Sequence, residues 1–288
     1  MLWECISSSR CECGGLDREQ IDNFRPNTFG EVAPTDVGKQ WFSVVQQYSG
    51  LNASYPSDKL PALSGIAEQF QARLQCEYLA GLWRSNLLKG LQWVVADGIK
   101  CRRPPYRAPS WSWASLDQLS STETMHYGTR VSYKFTESAV QDNRLTLVNA
   151  EVSGRGKNPY GTVSGGALVL KAAFLTPCAA EIETEPSWVD EDFADSVLLL
   201  EFEGHENKTR VEPDIAFTSL PLGISQAPYN ARQLRWLVLS KIGNRHYGLL
   251  LKPLEGQEDV YERVGLPCLF SLPSDLIDNA EVAKFEIV

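Results

Sequence analysis

Histidine is scarce in this chain: His126, His205 and His246 are the only three among 288 residues, far apart and without metal-ligand spacing. Each reads first as a loop or surface residue. The seven cysteines offer no C-x-x-C pair. Cys76, Cys101, Cys178 and Cys268 stand alone among apolar or mixed neighbours and read as reduced, core-type thiols. Cys5, Cys11 and Cys13 lie closer together, but C-x-C spacing with no histidine before His126 leaves zinc without a fourth ligand. No metal is expected. The G-x-S-x-G elbow of a serine hydrolase is missing too. Val163-Ser164-Gly165-Gly166 lacks its leading glycine and is expected in a turn. A Gly-rich phosphate loop is likewise absent, so no cofactor is expected.

Long apolar runs are also wanting; none approaches the roughly 20 residues of a membrane span. The opening MLWECISSSRCECGG has neither an uninterrupted apolar stretch nor a basic lead, so no signal peptide is read and a cytoplasmic location is expected. Asn52-Ala-Ser and Asn207-Lys-Thr then match the glycosylation pattern by chance. Positive charge is in deficit, 27 Lys and Arg against 36 Asp and Glu, for a net charge of −9. The basic residues are scattered. Such a surface repels nucleic acid and anionic lipid, and no nucleic-acid partner is expected.

Apolar material is present in ordinary measure, 43% hydrophobic against 22% charged, enough for a substantial core. The length suits one large or two modest domains. Residues 1–34 read as an extended segment, 35–100 as a helical subdomain and 101–288 as a β-rich domain, the last two forming one compact unit. Thr35 or Asp36 can cap a helix to about Tyr48, on which Trp41, Val44, Val45 and Tyr48 share a face. Gly50 stops it. A second helix is expected over DKLPALSGIAEQFQARL, with Pro61 in its first turn. A third is expected over EYLAGLWRSNLLKGLQWVVA, where Leu79, Trp83, Leu87 and Leu91 recur at helical spacing.

Pro104, Pro105 and Pro109 then end helical character. Strand-like segments follow at Ser110–Leu116, Arg130–Phe135, Arg144–Val152, Ala167–Phe174, Ser196–Phe202, Leu234–Ile242, Tyr247–Lys252, Val260–Phe270 and Lys284–Val288. LSKIGNRHYGLLLKP reads as a hairpin turning at Gly243-Asn244. The expected class is α+β, with about three N-terminal helices packed on a mainly antiparallel β-sandwich or β-barrel. Acidic pairs at strand period, Glu181/Glu183 and Glu201/Glu203, read as solvated faces of the sheet.

The candidate site is the stretch from Tyr106 to Asp117, which contains APSWSWASLD. In a strand, Trp111 and Trp113 would point to the same face. One reading makes them anchors between helices and sheet, with Arg107 pairing with Asp117 or capping a helix. The other makes Tyr106, Trp111 and Trp113 walls of an apolar pocket, with Arg107, Ser110 and Asp117 as its sparse polar contacts. Tyr247 would add to the wall, and His126 or His246 could serve as a general acid at the mouth.

Three stretches, DKLPALSGIA (58–67), YLAGLW (78–83) and RAPSWSWASLD (107–117), together resemble the fungal heterokaryon-incompatibility (HET) domain family. YGLLLKP (247–253) and YERVGL (261–266) are weaker echoes. The resemblance spans about residues 40–270. It implies a C-terminal region of such a protein without the N-terminal HET domain, whose last strand LWEC resembles. No HET-domain catalytic residue carries over. Two functions are then open. One is a cofactor-independent cyclase or isomerase, pericyclase-like, folding a small hydrophobic intermediate of fungal secondary metabolism in an aromatic pocket. The other is a non-enzymatic recognition or regulatory protein of fungal allorecognition that binds a HET-type partner. An enclosed apolar cavity would favour the first, an exposed apolar patch the second.

Overall fold

The computed structural model describes residues 2–5, 8–11, 37–51, 55–95, 101–103, 105–118, 130–134, 138–185, 195–203, 208–211, 230–270 and 272–288. Strands β1 (Leu2–Cys5) and β2 (Ser8–Cys11) pair, and helices α1 (Val37–Ser49) and α2 (Ser64–Leu74) follow. A run of short elements comes next: β3 (Tyr78–Leu79), β4 (Leu82–Trp83), α3 (Leu87–Gly90), β5 (Trp93–Val95), β6 (Cys101–Arg102), β7 (Asp117–Gln118), β8 (Val131–Tyr133) and β9 (Val140–Gln141). The longer strands then begin with β10 (Thr146–Gly154), β11 (Val163–Leu175), β12 (Ala179–Glu185), β13 (Asp195–Glu201) and β14 (Thr209–Val211). The chain ends with β15 (Arg235–Ile242), β16 (Arg245–Pro253), β17 (Val260–Gly265), β18 (Cys268–Phe270), α4 (Ser274–Asp278) and β19 (Glu281–Ile287).

The class is α+β, and the strand pairing is mostly antiparallel. β11 pairs with β19 along most of its length and with β15 at Phe174 and Leu175. β15 pairs with β16 and β16 with β17, while β17 runs parallel to β19, so these five strands close a ring. β10 extends the ring from β11, and β12, β13 and β14 form a separate sheet. Trp236 to Ser240 are buried without interruption, the mark of a strand covered on both faces. Leu237, Leu239, Leu249 and Leu251 share a core with Trp41, Trp83, Trp93, Trp111 and Trp113. On the other face, Trp236, Val238 and Leu250 join Leu198, Leu200 and Val211. Gly248 permits this second layer: a Cβ there would lie 2.6 Å from Trp236 Cε2 and 2.2 Å from the Leu237 carbonyl. Among the described residues no helix is long and apolar enough to cross a membrane.

α1 coincides with the first expected helix and buries Trp41, Val44 and Val45; its expected caps, Thr35 and Asp36, lie outside the described residues. α2 starts at Ser64, later than the spacing suggests, because Pro61 opens a separate 3₁₀ turn over Pro61–Leu63. The expected third helix is not formed. Ala80 and Gly81 both take positive φ, 46° and 95°, which folds Tyr78–Trp83 into a tight hairpin, since two-residue hairpin turns favour positive φ at both central positions. What remains of the helix is the four-residue α3.

The expected strand Ser110–Leu116 is also corrected. The Ser112 N–H donates to the Pro109 carbonyl at 2.9 Å, and Ser112 Oγ accepts from the Ala114 N–H at 3.1 Å. These local bonds wind Trp113–Ser115 into a 3₁₀ turn, as serine side chains do when they compete with a ladder. Val163-Ser164-Gly165-Gly166 belongs to β11 and not to a turn. Val260–Phe270 is two strands, β17 and β18, broken at Pro267, which has no N–H for a ladder.

Candidate functional site

The three quoted stretches converge in space. At the tip of the β3–β4 hairpin, the Gly81 carbonyl accepts from Trp41 Nε1 at 2.9 Å and from Trp113 Nε1 at 3.1 Å. One residue earlier, the Ala80 carbonyl accepts from Ser112 Oγ at 2.5 Å. The tight turn, with Ala80 and Gly81 both at positive φ, therefore presents two carbonyls to the Trp-Ser-Trp segment, and at Gly81 the missing side chain removes the strain. A Cβ on Gly81 would lie 2.6 Å from Trp113 Nε1. Trp111 and Trp113 are both 0% exposed.

Two arginines bracket this segment. Arg107, 6% exposed, donates from Nε to the Ala114 carbonyl at 2.7 Å, from Nη1 to Pro56 at 2.9 Å and from Nη2 to Leu116 at 2.9 Å. Its Nη2 also meets Asp117 Oδ1 at 2.6 Å. Arg263 is 0% exposed; its guanidinium donates to the Leu91 and Trp93 carbonyls and stacks 3.4 Å from the Trp93 ring centroid. Its backbone N–H donates to Ser110 Oγ at 3.0 Å, and Trp93 Nε1 donates to the Trp111 carbonyl at 2.9 Å. The planar fork of arginine suits such multi-carbonyl clamping. A buried charge deprived of these partners would be strongly destabilising.

Lys59 completes the cluster. Its Nζ donates to the Leu116 carbonyl at 2.6 Å and lies 3.8 Å from Asp117 Oδ1. Burial, helped by the Arg107 charge, pulls its pKa down to about 8 against the partial support of Asp117. Tyr48 donates its hydroxyl to the Lys59 carbonyl at 2.8 Å, and burial holds that hydroxyl above its ordinary pKa.

The structure therefore brings together Arg107, Ser110, Trp111, Trp113 and Asp117, but in a hydrogen-bonded knot. Tyr106 lies beside it, 49% exposed. His246 and Tyr247 are elsewhere, on opposite faces of β16. His246 is buried, and its Nδ1 has no hydrogen-bond partner. Burial and then Lys241 depress its pKa, with Asp142 opposing. Tyr247 interacts with Cys268 and Arg245, and burial raises its pKa. His126 lies outside the described residues, as do His205 and Cys13. Of the acidic pairs, Glu181 and Glu201 share Lys208 at 2.5 and 3.2 Å on a solvated face. Among the described residues no His, Cys, Asp and Glu group could hold a metal ion.

Sequence reasoning missed Lys59, Gly81, Trp41, Trp93 and Arg263. Gly81 had a readable signal, the Ala-Gly pair between Leu79 and Leu82. The others act across long sequence separations, with no local signature. Buried donors are left over in the knot: Trp111 Nε1 has no acceptor, and Ser115 Oγ and Trp83 Nε1 have no partner either. No family model matches the chain, and no curated protein or solved structure matches it either.

Proposed function

We propose that the chain is a HET-type C-terminal region that works as a non-enzymatic recognition or regulatory protein, binding a HET-type partner. The observation that carries this reading is the engagement of Arg107, which is held by three backbone carbonyls and Asp117. Its side chain has a packing role instead of a free catalytic face. Apolar groups are exposed close by. Tyr55 is 68% and Leu51 62% exposed, and Tyr55 and Tyr106 are chain neighbours of the two residues joined by the Arg107–Pro56 hydrogen bond. Exposed aromatics next to a rigid knot suit partner binding, where tyrosine is enriched at interface centres. The HET resemblance and the N-terminal helices packed on a β-sandwich or barrel belong to the same proposal.

Pericyclase-like catalysis is the second reading, and Trp111 Nε1 favours it. A buried donor without an acceptor carries an unreturned desolvation penalty, and a substrate carbonyl could accept from it. Titration with purified HET-type proteins, read by calorimetry, tests the first reading. Binding that is lost in the Tyr55→Ser/Tyr106→Ser double variant supports it. No binding, with a small polyene or polycyclic molecule retained one-to-one in native mass spectrometry, supports the second.

A further inference from the structure

An acidic chain here exposes a basic hairpin tip. Between β10 and β11 the sequence reads Arg155-Gly156-Lys157-Asn158-Pro159-Tyr160, and residues 153–159 are all exposed. Among the described residues neither Arg155 nor Lys157 pairs with a carboxylate.

The tip is preformed. Gly156, at φ 99°, supplies a left-handed turn residue, and the Arg155 N–H closes the loop on the Thr162 carbonyl at 2.7 Å. Asn158 Oδ1 accepts from the Tyr160 N–H at 3.0 Å, a local turn that asparagine makes with its own backbone. From behind, Asn158 Nδ2 donates to Ser64 Oγ at 2.8 Å, and Tyr160 packs edge-on to Tyr78 with ring centroids 5.5 Å apart. Lower in the hairpin, Gly166 lies so close to Pro109 that a Cβ would stand 2.7 Å from its Cγ. The hairpin thus rests on segments 55–64 and 106–109, which also carry the exposed Tyr55 and Tyr106.

We propose that this tip is a docking finger for an acidic protein segment, an inference that rests on the partner-binding reading and gives the partner its chemistry. Arg155 and Lys157 meet the partner's carboxylates. Charge complementarity selects that occupant: on a chain of net charge −9, an acidic segment is repelled over most of the surface and attracted at the tip. A finger ordered before binding loses little entropy on contact. Nucleic acid is disfavoured, because its affinity grows with the number of phosphates neutralised and the tip offers two cations.

The test is fluorescence anisotropy of a labelled oligoglutamate peptide with the intact protein at low salt, a short single-stranded oligonucleotide being run alongside. The peptide should bind, and its affinity should fall as salt rises. Arg155→Ser/Lys157→Ser should weaken binding about tenfold, the effect of two well-placed exposed ion pairs. Lys171→Ser/Lys284→Ser removes the same charge from β11 and β19, where the two lysines lie directly opposite each other, and should stay within about twofold of the parent. No peptide binding, equal weakening by both double variants, or tighter binding of the oligonucleotide overturns the proposal. Titration with HET-type proteins separates this from the partner reading. A HET-type protein bound equally by the parent and by Arg155→Ser/Lys157→Ser leaves that reading standing and removes the finger. Peptide binding without any HET-type partner keeps the finger and removes the HET-type identity.

Discussion

Replacing each tryptophan of the Trp-Ser-Trp segment by phenylalanine separates an anchor from a pocket wall. Trp113 Nε1 has an acceptor, the Gly81 carbonyl at 3.1 Å; Trp111 Nε1 has none. Both rings are fully buried, so truncation to alanine should cost about 3–5 kcal/mol at either site. Phenylalanine keeps most of the ring and isolates the N–H. Trp113→Phe loses a hydrogen bond worth about 1 kcal/mol, besides some packing. The Gly81 carbonyl is not orphaned, because Trp41 still donates to it. Trp111→Phe removes a donor whose burial costs about 1–3 kcal/mol, which offsets the packing loss. Trp113→Phe should therefore be the more destabilising by about 2 kcal/mol. Equilibrium unfolding in guanidinium, followed by far-ultraviolet circular dichroism, reads this directly, and unchanged m-values would show that the unfolded state is not responsible. Equal losses in the two phenylalanine variants would refute the hydrogen-bond assignment. Alanine variants within about 1 kcal/mol of the parent would refute burial itself.

Gly81→Ala should cost roughly 2–5 kcal/mol, adding strain at φ 95° to a contact 2.6 Å from Trp113 Nε1; an unchanged denaturation midpoint would contradict this. Lys59, with its pKa lowered to about 8 from 10.5, binds its proton less readily folded than unfolded. The burden of charging it is full below pH 8 and is relieved between pH 8 and 10.5, so stability should rise there by up to about 3 kcal/mol. That rise should be missing in Lys59→Met, and identical pH profiles would sink the assignment. His246 is depressed below 6.5 by burial and Lys241, so stability should fall as pH drops below 6.5, where the unfolded chain takes up the proton first. His246→Gln should flatten that limb in an acid titration, and a limb that survives belongs to other groups.

Local patterns were readable where one element satisfied its own periodicity. The face of Trp41, Val44 and Val45 marks α1, and Gly243, at φ 60°, closes the β15–β16 hairpin where Gly-Asn suggests a turn. Reading failed where two patterns competed. Leu79, Trp83, Leu87 and Leu91 fit a helix, yet they are equally buried in a hairpin followed by a short turn, and the Ala80-Gly81 backbone decides between them. Ser110–Leu116 alternates like a strand, but the Ser112 hydroxyl turns it locally. Arg107 and Asp117 could be paired from sequence because they are ten residues apart. Lys59 reaches Leu116 across 57 residues and Arg263 reaches Ser110 across 153, separations that only the tertiary fold brings into contact.

The central claim is that the Trp-Ser-Trp segment is the anchor of a hydrogen-bonded knot. Hydrogen exchange of the indole N–H groups, followed by nuclear magnetic resonance, tests it most directly. The account predicts that the Trp111 and Trp113 protons exchange only through global unfolding, together with Trp41 and Trp93, whose N–H groups bond to Gly81 and Trp111. A Trp111 or Trp113 proton that exchanges orders of magnitude faster than those of Trp41 and Trp93 would contradict it, and would mean that the indole faces a solvent-reached cavity instead.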